Sequence, residues 1–257
     1  MIKAIFITVR TGSSRLPNKC LLKISGKPVI VHLIDRVKHS KLKDKIILCT
    51  TKLKADDVLC RIAKEAGIDY FRGQAEDKLM RWLGGVKKFN VEFFVTADGD
   101  DLFCEPELID LAFKQYDKYG PDFIEGGPDL ACGAFTYGIK ASALEKVCSI
   151  KDTQDTEMMW TYFKDTGLFK VEKLRGVPDV YRRSEIRMTL DYSEDFIFFK
   201  KIITELQNKK GYIGLRKIIK YLDKNPEVIK INQHLQKLFL ENQKRKTSLI
   251  LKKGEKL

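Results

Sequence analysis

Apolar residues follow two alternating patterns along the first half of the chain. Continuous apolar runs, rich in β-branched and aromatic residues, occupy 3–9, 45–50 and 91–96. Such runs are typical of strands that are buried on both faces of a sheet. Between and after them, apolar residues recur at helical spacing near 29–37, 55–66, 76–88 and 106–112. Strands and helices in alternation, joined by short connections, predict an α/β fold with a mostly parallel sheet and helices on both faces.

The pattern becomes less regular in the second half of the chain. Two short strands around a loop are predicted within 122–140, and a further strand that ends in a carboxylate is predicted over 187–191. Ser193 is a suitable N-cap for the helix that follows. Two more helices are predicted near 213–222 and 225–243.

The net charge of +13 is concentrated at the C-terminal end of the chain. From residue 201 onward there are 15 Lys or Arg against 5 Asp or Glu. We therefore divide the chain into a main domain, 1–207, and a basic helical appendage, 208–257. The appendage could contact nucleic acid, membrane phosphates or an acidic partner, but a solvated helix surface is the simpler explanation. No apolar run approaches the ~20 residues that a membrane span needs, which predicts a cytoplasmic protein.

The first candidate functional site is the loop that follows the first strand. This loop combines small and basic residues: Arg10, Gly12, Ser13, Ser14, Arg15 and Lys19. Glycine and serine allow backbone amides to turn toward anionic oxygens, and arginine and lysine neutralise them, as a polyphosphate requires. The spacing is not GxxxxGK[ST], so a P-loop ATPase is not indicated. The alternative is an ordinary surface loop in which basic residues cluster.

Two aspartates that each follow an apolar run form the second candidate. In parallel sheets ligands bind beyond the carboxyl ends of the strands, so Asp100 and Asp191 could converge at one edge. Two such carboxylates can hold Mg²⁺, which takes oxygen ligands. Other acidic residues lie nearby: Asp98, Asp101, Glu194 and Asp195. The last of these is interpreted as a solvated residue of the following helix. Surface carboxylates at strand ends explain the spacing equally well.

Several motifs in one order make the chain resemble a known family. They are Arg10-Thr-Gly-Ser-Ser-Arg-Leu-Pro-Asn-Lys-Cys-Leu, Ser25-Gly-Lys-Pro28, Tyr70-Phe-Arg-Gly73, Gly99-Asp100 and Thr189-Leu-Asp191. Together, over about residues 2–205, they resemble the SpsF-like cytidylyltransferases and, more distantly, the CMP-Kdo and CMP-acylneuraminate synthetases. Their order and spacing make the resemblance more specific than any single motif.

The resemblance implies a Rossmann-like, three-layer nucleotidyltransferase fold in the main domain, with transfer of CMP from CTP to a small acceptor and release of pyrophosphate. The loop after the first strand would wrap the CTP triphosphate, with Lys19 next to the α-phosphate. Lys19, Arg10 and Asp100 would be catalytic. Asp100 and Asp191 would bind Mg²⁺, and Arg72 would help to form the nucleotide pocket.

The resemblance describes the acceptor side less closely. Residues 122–175 would form the acceptor and dimerisation region of a homodimer, and the acceptor would be a sugar or sugar acid for surface glycan biosynthesis. The stretch 125–139 lacks the charged residues expected there, and Asn18 replaces the usual glycine before the loop lysine. The predicted acceptor contacts are Glu125, Tyr137 and Glu157.

Three other functions stay open from the sequence. A sugar-1-phosphate nucleotidyltransferase would share the fold, but its longer glycine-rich opening is absent. A cytidylyltransferase acting on a phosphorylated or phosphonate acceptor fits the nucleotide motifs equally well. A non-enzymatic, basic nucleic-acid-binding protein would use the appendage and leave the loop and the two aspartates unexplained. We therefore do not expect nucleic acid as a partner.

Overall fold

Nine strands lie in the part of the chain that the structure, a computed structural model, describes: residues 2–13, 15–206 and 212–252. In chain order they are β1 (Ile2–Thr8), β2 (Lys23–Ile24), β3 (Lys27–Pro28), β4 (Lys45–Thr51), β5 (Asp69–Gly73), β6 (Val91–Asp98), β7 (Phe123–Glu125), β8 (Tyr137–Lys140) and β9 (Val171–Lys173). β2 and β3 form a small hairpin, and the other seven form one sheet in the order β5-β4-β1-β6-β8-β7-β9. β5, β4, β1 and β6 are parallel, whereas β8 runs antiparallel to both of its neighbours.

The helices cover both faces of this sheet. Those within the described ranges are α1 (Val29–Val37), α2 (Asp57–Glu65), α3 (Lys78–Phe89), α4 (Pro106–Tyr119), α5 (Ala141–Ile150), α6 (Trp160–Lys164), α7 (Ser193–Leu206), α8 (Leu215–Lys224), α9 (Pro226–Lys230) and α10 (Leu235–Lys246). The arrangement confirms the predicted three-layer α/β fold with C-terminal helices. None of these helices has the length and apolarity needed to span a bilayer.

The apolar run of β1 shows why this strand must be central. Ile5 and Ile7 belong to one apolar core, together with residues of α1, α4, α7 and α8. Ala4 and Phe6 point to the other face and belong to a second core, formed with α3 and α5. Because successive side chains of a strand alternate between faces, a strand buried on both sides needs a continuous apolar sequence.

The order of the strands places two loops side by side. The chain passes from β1 to β4 and β5 on one side, and then returns to add β6 on the other side of β1. The loops after β1 and β6 therefore leave the same edge of the sheet at its topological switch point. Gly99 allows them to approach closely: its amide donates to Thr8 O at 2.8 Å, and a Cβ there would lie 2.7 Å from Val9 Cβ.

The prediction of a strand over 187–191 is wrong. Arg187 makes only an isolated bridge with Cys132, and this extended segment lies between two loops instead of joining the sheet. The Met188 amide donates to Cys132 O at 2.8 Å, and the Leu190 amide donates to Asp100 O at 2.9 Å. The apolar alternation is real, because Met188 and Leu190 are buried in the core, but their backbone partners are loop carbonyls.

The helix predicted over 225–243 is divided in two. α9 and α10 are separated by a turn that contains Asn232, whose side chain is fully buried beneath the 187–195 segment. α8 packs its apolar face into the same core as β1. Glu105, at the start of α4, accepts from the Leu215 amide at 2.9 Å and pairs with Arg36 at 2.7 Å, which ties the C-terminal helices to the sheet.

Candidate functional site

The loop after β1 is anchored by a buried carboxylate. The Thr11 amide and Oγ1 donate to Asp56 Oδ1 at 2.8 and 2.7 Å, and Thr51 Oγ1 donates to the other carboxylate oxygen. Burial opposes the ionisation of Asp56, but these hydrogen bonds outweigh it and hold the pKa of Asp56 below its usual value. The loop therefore leaves the sheet in a fixed direction, toward the switch point.

Lys19 lies between the two predicted metal-binding aspartates. Its Nζ is 2.5 Å from Asp100 Oδ2 and 3.0 Å from Asp191 Oδ1. Burial opposes the charge on Lys19, but the two carboxylates raise the pKa of the ammonium group and keep it protonated. Asn18, just before it, has φ 53°, a left-handed conformation that glycine adopts freely and asparagine tolerates. The Gly-to-Asn departure noted in the sequence thus preserves the backbone path.

Asp191 is held by a buried network. One carboxylate oxygen accepts from Arg15 Nη2 at 2.5 Å, and the other accepts from Arg187 Nη2 at 3.1 Å. Arg187 is also paired with Asp195 at 2.9 Å, and Asp195 Oδ1 accepts from Asn232 Nδ2 at 2.8 Å. Asp195, interpreted from the sequence as solvated, is in fact 0% exposed. Burial opposes ionisation of Asp191, but Lys19 and Arg15 lower its pKa to about 2.

A cleft opens beside Lys19, and the network around Asp191 forms one of its lips. The opposite lip, formed by α3 and the segment before α6, carries a second set of charges. Lys78 Nζ lies 3.3 Å from Asp98 Oδ1, and Arg10 Nη2 lies 3.6 Å from Glu157 Oε2. Burial opposes the ionisation of Glu157, but Lys78 and the nearby arginines hold the pKa of Glu157 below its usual value. Arg81 donates to backbone carbonyls of the preceding loop, while its buried Nε has no hydrogen-bond partner within the described ranges.

These two lips enclose an open cleft with a cavity volume of about 200 Å³. The predicted residues that line it are Arg10, Gly12, Ser13, Arg15, Lys19, Asp100 and Glu157. Asp191 reaches it through its contacts with Lys19 and Arg15. Ser14 lies outside the described residues. The cleft is strongly polar, with cations and carboxylates interleaved, which suits a multiply charged anion accompanied by a cation.

Besides Asp191, three described residues of the predicted site lie outside the cleft lining. Arg72, in β5, donates to Thr51 O at 2.9 Å and pairs with Asp57 at 2.7 Å. Glu125 pairs with Lys164 at 2.6 Å. Tyr137 packs in the second apolar core, where burial raises the pKa of its hydroxyl. Their predicted roles stay predictions.

The cleft also contains residues that were not predicted as site residues. Lys78 and Lys246 line it, and so do Asp98 and Arg81, whose roles were not assigned. Lys78 and Arg81 are three positions apart on α3, a spacing that places both on one helix face and could have suggested a shared site. Nothing in the local sequence points to Lys246, because only the tertiary fold brings the end of α10 to this edge.

The two aspartates fit a metal site that is shared with a substrate. Across the residues that the structure describes, no group of three or more His, Cys, Asp or Glu side chains could hold an ion by itself. Asp100 and Asp191 instead converge on one positive charge, the Lys19 ammonium. Mg²⁺ is commonly held by one or two carboxylates together with substrate phosphates and waters. The pair therefore fits Mg²⁺ bound together with a polyphosphate.

At its switch point the mostly parallel sheet carries a basic, glycine-containing loop and two converging carboxylates. This arrangement is typical of nucleotide-binding α/β proteins and fits the nucleotidyltransferase type. A family model described as "Cytidylyltransferase" matches residues 4–256. The chain belongs to this cytidylyltransferase family.

Individual relatives extend over nearly the whole chain. An uncharacterized protein of Methanocaldococcus jannaschii is 33% identical over 233 residues, which cover 89% of this chain and 93% of the relative. The spore coat polysaccharide biosynthesis protein SpsF of Bacillus subtilis is 25% identical over 228 residues, covering 86% and 94% of the two chains. The solved structure of a cytidylyltransferase from Leptospira borgpetersenii superposes with a TM-score of 0.80 at 28% identity, covering 89% of this chain and 97% of that one. The predicted resemblance to the SpsF-like cytidylyltransferases is confirmed.

Proposed function

We propose that this protein is a magnesium-dependent cytidylyltransferase that transfers CMP from CTP to a small acceptor, a sugar or sugar acid, and releases pyrophosphate. The observation that carries the proposal is the convergence of Lys19, Asp100 and Asp191 at the switch point of the sheet. Membership of the cytidylyltransferase family supports cytidine as the base. The similarity to a spore coat polysaccharide biosynthesis protein supports a sugar-type acceptor and a role in surface glycan synthesis.

In this proposal the cationic side chains of the cleft and the backbone of the loop after β1 have different roles. Arg10, Arg15 and Lys19 neutralise the triphosphate, and the backbone at Gly12 and Ser13 turns around its oxygens. Lys19 pairs with both carboxylates, so its ammonium group would stand beside the metal ion and neutralise the phosphate that reacts. Removing such a preorganised cation weakens the stabilisation of charge that develops in the transition state.

The reaction is an in-line displacement at the α-phosphorus. The acceptor hydroxyl oxygen forms a bond to that phosphorus and releases its proton to solvent water. The bond between the phosphorus and the bridging oxygen breaks, and pyrophosphate leaves. Mg²⁺, held by Asp100 and Asp191, would neutralise phosphate oxygens and lower the pKa of the acceptor hydroxyl. The remaining contribution of the chain is positioning, because phosphoryl transfer depends chiefly on alignment and charge neutralisation.

The unusual region 125–139 does not define the acceptor, but the charges of the cleft restrict its class. Lys78 and Arg81 on α3 face the same space as the loop after β1. The whole lining has six lysines and arginines against three carboxylates. This excess of cations favours an acceptor that carries a carboxylate, and it suits a phosphorylated or phosphonate acceptor by the same chemistry. Dimerisation through residues 122–175 stays a prediction.

Pyrophosphate release tests the proposal. The purified protein is assayed with each of the four ribonucleoside triphosphates and Mg²⁺, against sugar acids, sugar phosphates and phosphonates. We expect release with CTP in the presence of one acceptor class, and loss of release when Mg²⁺ is chelated. Equal release from all four nucleotides, or release that is independent of any acceptor, would contradict the proposal.

A further inference from the structure

The C-terminal part of the chain crosses the mouth of the cleft. α10 packs on the lip that carries Asp191: Arg187 donates to Gln236 at 3.2 Å and stacks on the Phe239 ring, 4.6 Å from its centroid. Asn242, one turn before the end of α10, donates to Tyr192 Oη at 3.3 Å. The Tyr192 ring in turn lies beneath the guanidinium of Arg15, at 5.6 Å.

Beyond α10 the chain reaches the other lip. The Asp152 amide donates to Ile250 O at 2.9 Å, and the Lys252 amide donates to Ile150 O at the same distance. Leu251 forms an isolated antiparallel bridge with Lys151. The Lys151 side chain is buried and pairs at 2.5 Å with Asp77, the N-cap of α3. Residues 235–252 therefore form a strap that is fixed at both lips.

Lys246 lies at the middle of this strap and lines the cleft. The other lysines and arginines of the lining already have partners. Arg10, Arg15, Lys19 and Lys78 are paired with carboxylates, and Arg81 donates to backbone carbonyls. Within the described ranges Lys246 has no ion-pair partner, and its exposed side chain borders the cleft. A cation on a flexible stem in such a place attracts an anion.

We propose that the strap is part of the substrate site and that Lys246 binds an anionic group of a ligand in the cleft. The inference rests on the proposed cytidylyltransferase function and adds a binding residue to it. The anionic group is a phosphate of the nucleotide or the carboxylate or phosphate of the acceptor, which share the chemistry that a lysine recognises. The basic C-terminal region would then serve the reaction, in addition to presenting charge to solvent.

The test compares full-length variants that differ by one charge. In Lys246→Ala the cleft cation is lost, in Lys246→Arg it is kept, and Lys244→Ala removes an exposed lysine of the same helical turn that does not line the cleft. For each variant, the Kd for CTP with Mg²⁺ is measured without acceptor, and the acceptor KM and kcat are measured at saturating CTP.

We expect Lys246→Ala to weaken one of the two ligands about tenfold, the loss typical of one charge-assisted contact, with little change in kcat. Lys246→Arg should recover most of that loss, and Lys244→Ala should match the unchanged protein. A raised Kd for CTP identifies the triphosphate as the anion, whereas a raised acceptor KM alone identifies the acceptor.

Unchanged Kd and KM in Lys246→Ala would overturn this inference and leave the proposed function intact. Failure of the unchanged protein to bind either CTP or inorganic pyrophosphate would instead overturn both proposals, since no anion would then occupy the cleft.

Discussion

Two groups of charged side chains flank Lys19, and the protein holds one group more rigidly than the other. Arg10 and Arg15, on the loop after β1, have side chains that are 41% and 36% exposed and make contacts only at their tips. On the other side, Asp191 and Asp195 are buried, and Arg187 bonds to both of them. The cationic side, Arg10 and Arg15, can adapt to a ligand. The carboxylate side, Asp191 and Asp195 with Arg187, is fixed in position before any ligand binds.

The difference follows from the cost of burial. An exposed arginine can change partners at little cost, because water compensates for each lost contact. A buried carboxylate must keep all its donors, because an unpaired charge in the interior is strongly unfavourable. Mutations of Arg187, Asp191 or Asp195 should therefore reduce folding stability, whereas mutations of Arg10 or Arg15 should reduce ligand binding.

The largest effect is expected from breaking the buried network. Arg187→Met leaves Asp195 without its ion-pair partner, and the free energy of unfolding should fall by about 3–5 kcal/mol. Urea denaturation followed by circular dichroism measures this change. Arg182→Met, which removes an exposed arginine paired with Asp129, should leave stability nearly unchanged. Equal losses in the two variants would show that the 187–195 network is not the rigid side.

Removing the Asp100 side chain should lower the reaction rate without lowering folding stability. Asp100→Ala deletes a partly exposed carboxylate beside Lys19, so the fold should persist while kcat falls about 10²–10³-fold. Steady-state pyrophosphate release at saturating Mg²⁺ gives the rate, and thermal unfolding checks the fold. Asp117→Ala, on the exposed face of α4, serves as the control and should retain full activity. A normal rate in Asp100→Ala would exclude this aspartate from the mechanism.

Asp56 anchors the loop after β1, and its contribution to the free energy of unfolding should depend on pH. The pKa of Asp56 is lower in the folded protein than its usual 3.8, so its contribution to stability is present above that pH and is lost as the pH falls through the folded-state pKa. Asp56→Asn should cost about 1–3 kcal/mol at pH 7, because Thr11 and Thr51 lose a carboxylate acceptor. The difference from the unchanged protein should shrink below about pH 4.

Urea titrations between pH 3 and 7 measure this difference in the free energy of unfolding. Asp57→Asn, in the adjacent position but paired with Arg72 at the surface, provides the control and should show no comparable trend. A difference between Asp56→Asn and the unchanged protein that stays constant over the whole pH range would contradict the account of Asp56.

The smallest effect is expected on the cationic side. Arg10→Ala should raise the KM for CTP about tenfold, the equivalent of one charge-assisted hydrogen bond, and leave the free energy of unfolding unchanged. Nucleotide titrations and urea denaturation test the two parts separately. Arg61→Ala, at an exposed position of α2 away from the cleft, is the matched control. A destabilised Arg10→Ala would contradict the contrast between the two sides.

Much of the architecture was predictable because local patterns and tertiary packing agree. β1, β4 and β6 are buried on both faces, so their continuous apolar runs could hardly form anything else. The positions of the loop after β1 and of Asp100 follow from this, since both come directly after such strands. The sequence therefore predicts this part of the site from the positions at which the apolar strands end.

The other side depends on contacts between distant segments. Residues 187–191 have the alternation of a strand, but they pair with loops that contain Cys132 and Asp100. The predicted helix over 225–243 has continuous helical spacing, yet a turn interrupts it and places Asn232 under Asp195. Lys246 reaches the cleft by the same kind of tertiary contact. No periodicity encodes these long-range pairings, so they could not be predicted.

A crystal structure of the protein with CTP and Mg²⁺ would show whether Lys19, Asp100 and Asp191 together bind the triphosphate and the metal ion. We predict that Lys19 contacts the triphosphate and that oxygens of Asp100 and Asp191 lie roughly 2.0–2.1 Å from the same metal ion or from an adjacent one. A nucleotide bound elsewhere, or a metal ion that contacts neither aspartate, would contradict the account.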